Sequence, residues 1–128
     1  MNELVKTAQA WQDAINRNDA QELMKRSAAN IEIVGPKGSA YGREVLAEWL
    51  FRAGLQLTAK RYFALDNTLV ILQDAIWRDP DSEQAVGEAE VASVFGIAND
   101  LVNYYARYDT LEEAFASSGM NLQHEIKP

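Results

Sequence analysis

Two turn-forming pairs, Asp66-Asn67 and Asn99-Asp100, constrain the fold most. Each sits between long runs of extended-type residues. Leu57–Leu65 and Thr68–Trp77 flank the first, and Ala85–Ile97 and Leu101–Tyr108 flank the second. Asn and Asp tolerate the left-handed backbone that a two-residue hairpin loop demands, so both pairs predict tight hairpins. Asp79-Pro80-Asp81-Ser82 reads as a longer turn joining them. Ahead of these strands the period changes. Leu4, Ala8, Trp11 and Ile15 recur at helical spacing. Asp19 with Glu22 opens a second, short helix ending near Ala28. Ile31–Val34 is a β-branched run stopped by Gly35-Pro36, and Gly38 and Gly42 bracket a loop. From Arg43 a third helix presents Val45, Leu46, Trp49, Leu50 and Ala53, with Gly54 at its C-terminal end. Thr110 with Glu113 opens a last helix through about Ser117. Helices and then strands, in blocks, predict an α+β domain with the helices on one face of a curved antiparallel sheet. Residues 1–119 read as one domain and residues 120–128 as a C-terminal tail that includes His124.

Composition narrows the chemistry. A chain of 128 residues is long enough to bury a continuous core. Nineteen acidic against 12 basic residues give a charge of −7, a poor match for nucleic acid or an anionic membrane. There is no cysteine and one histidine, which excludes disulfides, thiol catalysis and multi-histidine metal sites. No cofactor is expected. The start of the chain lacks the pattern of a signal peptide, so a cytoplasmic location is expected.

Strand phase decides which side chains meet. With a turn at Asp66-Asn67, Leu57, Ala59, Arg61 and Phe63 share a face with Val70, Leu72, Asp74 and Ile76. This is the more apolar face and is predicted to be the core, which puts Arg61 and Asp74 inside as diagonal neighbours. A turn at Asn99-Asp100 likewise joins Val91, Ser93, Phe95 and Ile97 to Val102, Tyr104, Ala106 and Tyr108. Ala92, Val94 and Tyr105 then form an apolar patch on the outer face.

Three strings carry a family resemblance. Trp11-Gln12-Asp13-Ala14-Ile15-Asn16-Arg17-Asn18-Asp19 ends the first helix, and Tyr41-Gly42-Arg43-Glu44-Val45-Leu46 opens the third. Val94-Phe95-Gly96-Ile97-Ala98-Asn99-Asp100-Leu101-Val102, followed by Tyr108-Asp109, forms the second hairpin. In order and spacing, over about residues 4–117, the chain resembles the nuclear transport factor 2-like superfamily, in particular its small bacterial SnoaL-like members. The resemblance implies a cone-shaped α+β barrel, cystatin-like in outline, with an interior pocket. It also implies a homodimer through the outer sheet face, here Ala92, Val94 and Tyr105. Ketosteroid isomerase belongs to that superfamily. Its helix tyrosine falls at Trp11, its base aspartate at Gly35 and its oxyanion-hole aspartate near Ser93. None of those residue types can take over the role, so that chemistry is rejected.

Three functions stay open. The first is binding of a small, mainly hydrophobic molecule in an interior pocket. Trp11, Trp49, Phe63 and Phe95 would supply apolar walls, with Leu72, Ser93, Tyr104 and Tyr108 completing the lining. The second is a cofactor-independent hydrolase, isomerase or cyclase, with Asp74 as base or water-orienting group and Arg61 holding an anionic or carbonyl group. The bland counterpart of that pair is a structural ion pair or two solvated side chains. The third is assembly only, with the interior closed by Trp11 and Trp49. Glu88 and Glu90 read as a solvated edge.

Overall fold

The computed structural model describes residues 2–35, 38–46, 54–79, 81–82 and 84–127. Helix α1 (Glu3–Asn16) starts where Asn2 Oδ1 accepts the Leu4 N–H, and α2 (Ala20–Lys25) starts where Asp19 accepts the Glu22 N–H. A helical turn begins at residues 44–46, and Leu46 is fully buried. The rest of that expected third helix, with Trp49, lies outside the described residues. Helix α3 (Leu111–Ser118) is capped by Thr110 and closed by Gly119 in the left-handed conformation, φ 75°. Among the described residues no helix is long and apolar enough to cross a membrane.

The strands are β1 (Ser27–Gly35), β2 (Gly38–Tyr41), β3 (Leu55–Leu65), β4 (Thr68–Arg78), β5 (Ala85–Ala98), β6 (Leu101–Tyr108) and β7 (Glu125–Ile126). They form one curved sheet in the order β2-β1-β6-β5-β4-β3-β7, antiparallel except for the β1–β6 pair. The α+β architecture is as expected. Both turns carry positive φ, at Asp66 (54°) and at Asn99 and Asp100 (54° and 62°). Two segments differ from the reading. Residues 38–41, expected as loop, pair with β1. Residues 122–126, within the expected tail, form a 3₁₀ turn and then strand β7 against Tyr62 and Phe63 of β3.

Helices cover both faces of the sheet, not one. The inner face lies under α1 and carries Leu57, Ile71, Val91, Phe95, Ile97 and Tyr105. The outer face lies under α3 and carries Phe63, Val70, Leu72, Ala92 and Val94, with Tyr104 and Tyr108 packed against them. The expected phase was right for β5 and for Leu57 and Ala59 of β3, and inverted for Arg61 and Phe63, for β4 and for β6 beyond Val102. Strand β4 is continuous there and presents its other face inward, whereas a bulge in β3 keeps Leu57 and Ala59 inward and a bulge in β6 turns Tyr104 and Tyr108 outward. Ala59 faces Gln73 but Arg61 faces Leu72, so Lys60 is the extra residue in β3. Ile97 faces Val102 but Gly96 faces Tyr104, so Asn103 is the extra residue in β6. Gly96 is required there, because a Cβ would stand 2.6 Å from Asn103 Oδ1 and 2.9 Å from Tyr104 Cβ.

Candidate functional site

Trp11 organises the layer between α1 and the inner face. Its side chain is fully buried, and Nε1 donates to Ser27 Oγ at 2.9 Å. Ser27 Oγ in turn donates to the Leu23 carbonyl at 2.7 Å. The indole meets Phe95 edge-on, with centroids 5.6 Å apart, and lies tilted over Tyr105 at 4.6 Å. Phe95 and Tyr105 meet edge-on at 5.1 Å. An aromatic wall thus joins the helix to β5 and β6.

A chain of polar groups runs along the floor beside this wall. Tyr105 Oη and Ser93 Oγ are 3.1 Å apart, and Gln73 Nε2 donates to Ser93 Oγ at 2.5 Å. Burial pushes the Tyr105 phenol above its ordinary pKa, and the Arg107 guanidinium opposes that shift. Arg107 also stands over the Trp77 ring, 5.3 Å from its centroid.

Gln12 projects from α1 toward the same floor. Asn16 Nδ2 donates to the Leu57 carbonyl at 2.9 Å, and Asn16 Oδ1 accepts the Leu57 N–H at 2.7 Å. Tyr62 Oη donates to Gln9 Oε1 at 3.2 Å. Residue 16 is therefore level with residue 57, and residue 9 with residue 62. Gln12 falls level with Ala59, whose partner on β4 is Gln73. Around the helix, at roughly 100° per residue, Gln12 lies between Asn16 over β3 and Trp11 over β5 and β6. The strand between them is β4. Gln12 and Gln73 are both fully buried. Gln12 Nε2, Gln12 Oε1 and Gln73 Oε1 have no hydrogen-bond partner among the described residues. Such groups normally find one. Among the described residues, the fully buried polar side chains of this layer are Gln12, Ser27, Gln73 and Ser93, and none is charged. Sequence reasoning missed Gln12, Gln73 and Tyr105. A glutamine on the apolar stripe of α1 was a usable signal for the first.

The expected ligand residues are divided. Trp11, Ser93 and Phe95 line the inner layer. Phe63, Leu72, Tyr104 and Tyr108 do not: the Asn103 bulge turns Tyr104 and Tyr108 to the outer face, and Phe63 and Leu72 lie on the outer side of the β3–β4 hairpin. There Tyr108 Oη donates to Ser117 Oγ at 2.9 Å. Partial burial and the Tyr108 phenol push Tyr104 up to about 12. Ala92, Val94 and Tyr105 cannot form a dimer face as expected. The first two are buried against the outer cluster with α3, and Tyr105 is buried in the inner core.

Arg61 and Asp74 are not brought together, and neither faces the inner layer. Arg61 makes a two-pronged bond to Glu125, 2.8 Å on each arm, and lies over the Phe63 ring. Asp74 is exposed, 3.6 Å from Lys60 Nζ, which also bonds Glu90 at 2.6 Å. His124, expected on a tail, accepts the Asn121 N–H through Nδ1 at 3.0 Å. Among the described residues no group of His, Asp and Glu is arranged to hold a metal ion. An open surface groove of about 530 Å³ lies beside α3, lined in part by Leu111, Phe115 and Leu122.

The layer beneath α1, the curved sheet and the single parallel strand pair define a known architecture. A nuclear transport factor 2-like protein of unknown function from Cytophaga hutchinsonii superposes with a TM-score of 0.70 at 13% identity, over 88% of this chain and 94% of that one. The chain has the nuclear transport factor 2-like fold. An uncharacterised cystatin-fold protein from Novosphingobium aromaticivorans gives 0.69 at 16% identity, over 84% and 97% of the two chains. TerC, co-crystallised with polyporic acid, gives 0.73 at 11% identity, over 91% and 97%. No protein-family model matches the sequence, and no curated protein does.

Proposed function

We propose that the protein binds a small, mainly hydrophobic molecule between α1 and the inner face of the sheet. Trp11, Phe95 and Tyr105 supply the apolar contacts, and Gln12, Gln73 and Ser93 supply the polar ones. One observation carries the reading. Three buried amide atoms on facing elements lack partners, in a layer walled by aromatic rings. A few convergent polar groups within an apolar lining are the usual composition of a small-molecule site. That TerC has been co-crystallised with polyporic acid supports this for a chain of the same fold. The acid–base reading loses its residues, since Asp74 and Arg61 are engaged separately on the other face.

The test is a titration with mono- and bicyclic aromatic compounds, followed by methyl chemical shifts. Binding in the inner layer moves Ile71, Val91 and Ile97. If only the outer-face methyls of Val70, Leu72 and Val94 respond, or none do, the reading is wrong.

A further inference from the structure

The three unpartnered atoms define what the guest's polar end must offer. Gln12 Oε1 and Gln73 Oε1 are acceptors and call for donors, whereas Gln12 Nε2 is a donor and calls for an acceptor. Resting on the binding reading above, we propose that the site selects an uncharged head group combining N–H or O–H donors with one acceptor oxygen. A primary carboxamide and a hydroxyketone are the simplest such groups.

The alternatives fail on chemistry. A carboxylate offers only acceptors, so it would oppose two carbonyl oxygens and satisfy neither. Among the described residues, the Arg107 guanidinium is held at the far side by Tyr105 and the Trp77 face, and that of Arg43 is held by the Ser27 carbonyl at 2.9 Å. An ammonium supplies donors, but among the described residues no carboxylate is buried to pair with it. Burying an unpaired charge costs far more than the hydrogen bonds return. A purely apolar guest leaves all three amide atoms unpaired.

Four aromatic probes of one shape separate these cases: benzamide, benzoate, benzylammonium and toluene. The readouts are dissociation constants from inner-layer methyl shifts and the side-chain amide ¹⁵N–¹H signals of Gln12 and Gln73. We expect benzamide to bind roughly tenfold or more tightly than each of the other three, the value of about one net hydrogen-bond pair. It should also shift both glutamine amides. In Gln12→Leu the preference over toluene should collapse to nearly one, with toluene itself still bound. That retained binding reports an intact fold. If benzoate matches or exceeds benzamide, the site reads an anion through Arg107 and the proposal is overturned. If toluene equals benzamide in the parent protein, water satisfies the amides; the head-group proposal fails and the binding reading stands. If none of the four binds, both fall.

Discussion

Gln12 occupies a position on α1 that an apolar residue would fill at lower cost. It is fully buried, and both ends of its carboxamide lack partners. Leaving a buried polar group unsatisfied costs about 1–3 kcal/mol. Replacing it with leucine removes that cost and adds apolar burial, so Gln12→Leu should stabilise the ligand-free protein by about 1–2 kcal/mol. Urea unfolding would check this, and a destabilised variant would mean the carboxamide has a structural partner. Tyr105 is the opposite case. Its ring is clamped between Trp11 and Phe95, and its hydroxyl bonds Ser93. Tyr105→Glu would place a carboxylate in that clamp and should cost about 4 kcal/mol or more. The expected outcome is loss of the folded circular dichroism spectrum, rather than the clean splitting of a dimer that an outward-facing Tyr105 would allow.

The hairpins and helix caps were legible because they rest on local chemistry, as at Asp66-Asn67, Asp19 and Thr110. Strand phase was not, because it depends on two bulges and on what covers each face. Leu69, Val70, Ile71, Leu72 and Gln73 are all buried. Such an unbroken run signals a strand covered on both sides, and choosing the more apolar face could not settle its phase. Gly96 in mid-strand was a signal for the bulge at Asn103. Lys60 carried no comparable mark; its side chain takes the place beside Asp74, and Arg61 pairs with Glu125 instead. At the C-terminal end, β7 is held to β3 by the Arg61–Glu125 pair. The Arg61 bond holds the Glu125 carboxyl below its ordinary value of 4.5. A depressed carboxylate contributes above its unfolded pKa, and the contribution is lost as pH falls through the folded one. Contacts between Tyr62 and Ile126 should therefore weaken below about pH 4. Glu125→Gln should abolish that pH dependence, as nuclear Overhauser effects across β3 and β7 would show.

Across the whole molecule, two helical layers sandwich one sheet, and the phenols caught between them set an alkaline limit. Tyr104 is pushed up to about 12, and Tyr105 is raised by burial. In the unfolded chain both ionise near 10. Folded protein holds their protons where unfolded chain has lost them, so stability is complete below pH 10 and falls as pH rises toward 12. Thermal unfolding across that range should show the decline, and Tyr104→Phe should make it shallower. The charge of −7 keeps the surface acidic while the described core of the inner layer stays uncharged, which suits a guest recognised by packing and neutral hydrogen bonds. The most direct measurement is a high-resolution crystal structure of the protein as purified from cells, examined between Gln12 and Gln73. Ordered density is expected there, a bound molecule or bridging waters, within hydrogen-bonding distance of Gln12 Nε2, Gln12 Oε1 and Gln73 Oε1. A closed layer in which both carboxamides bond directly to protein groups would contradict it.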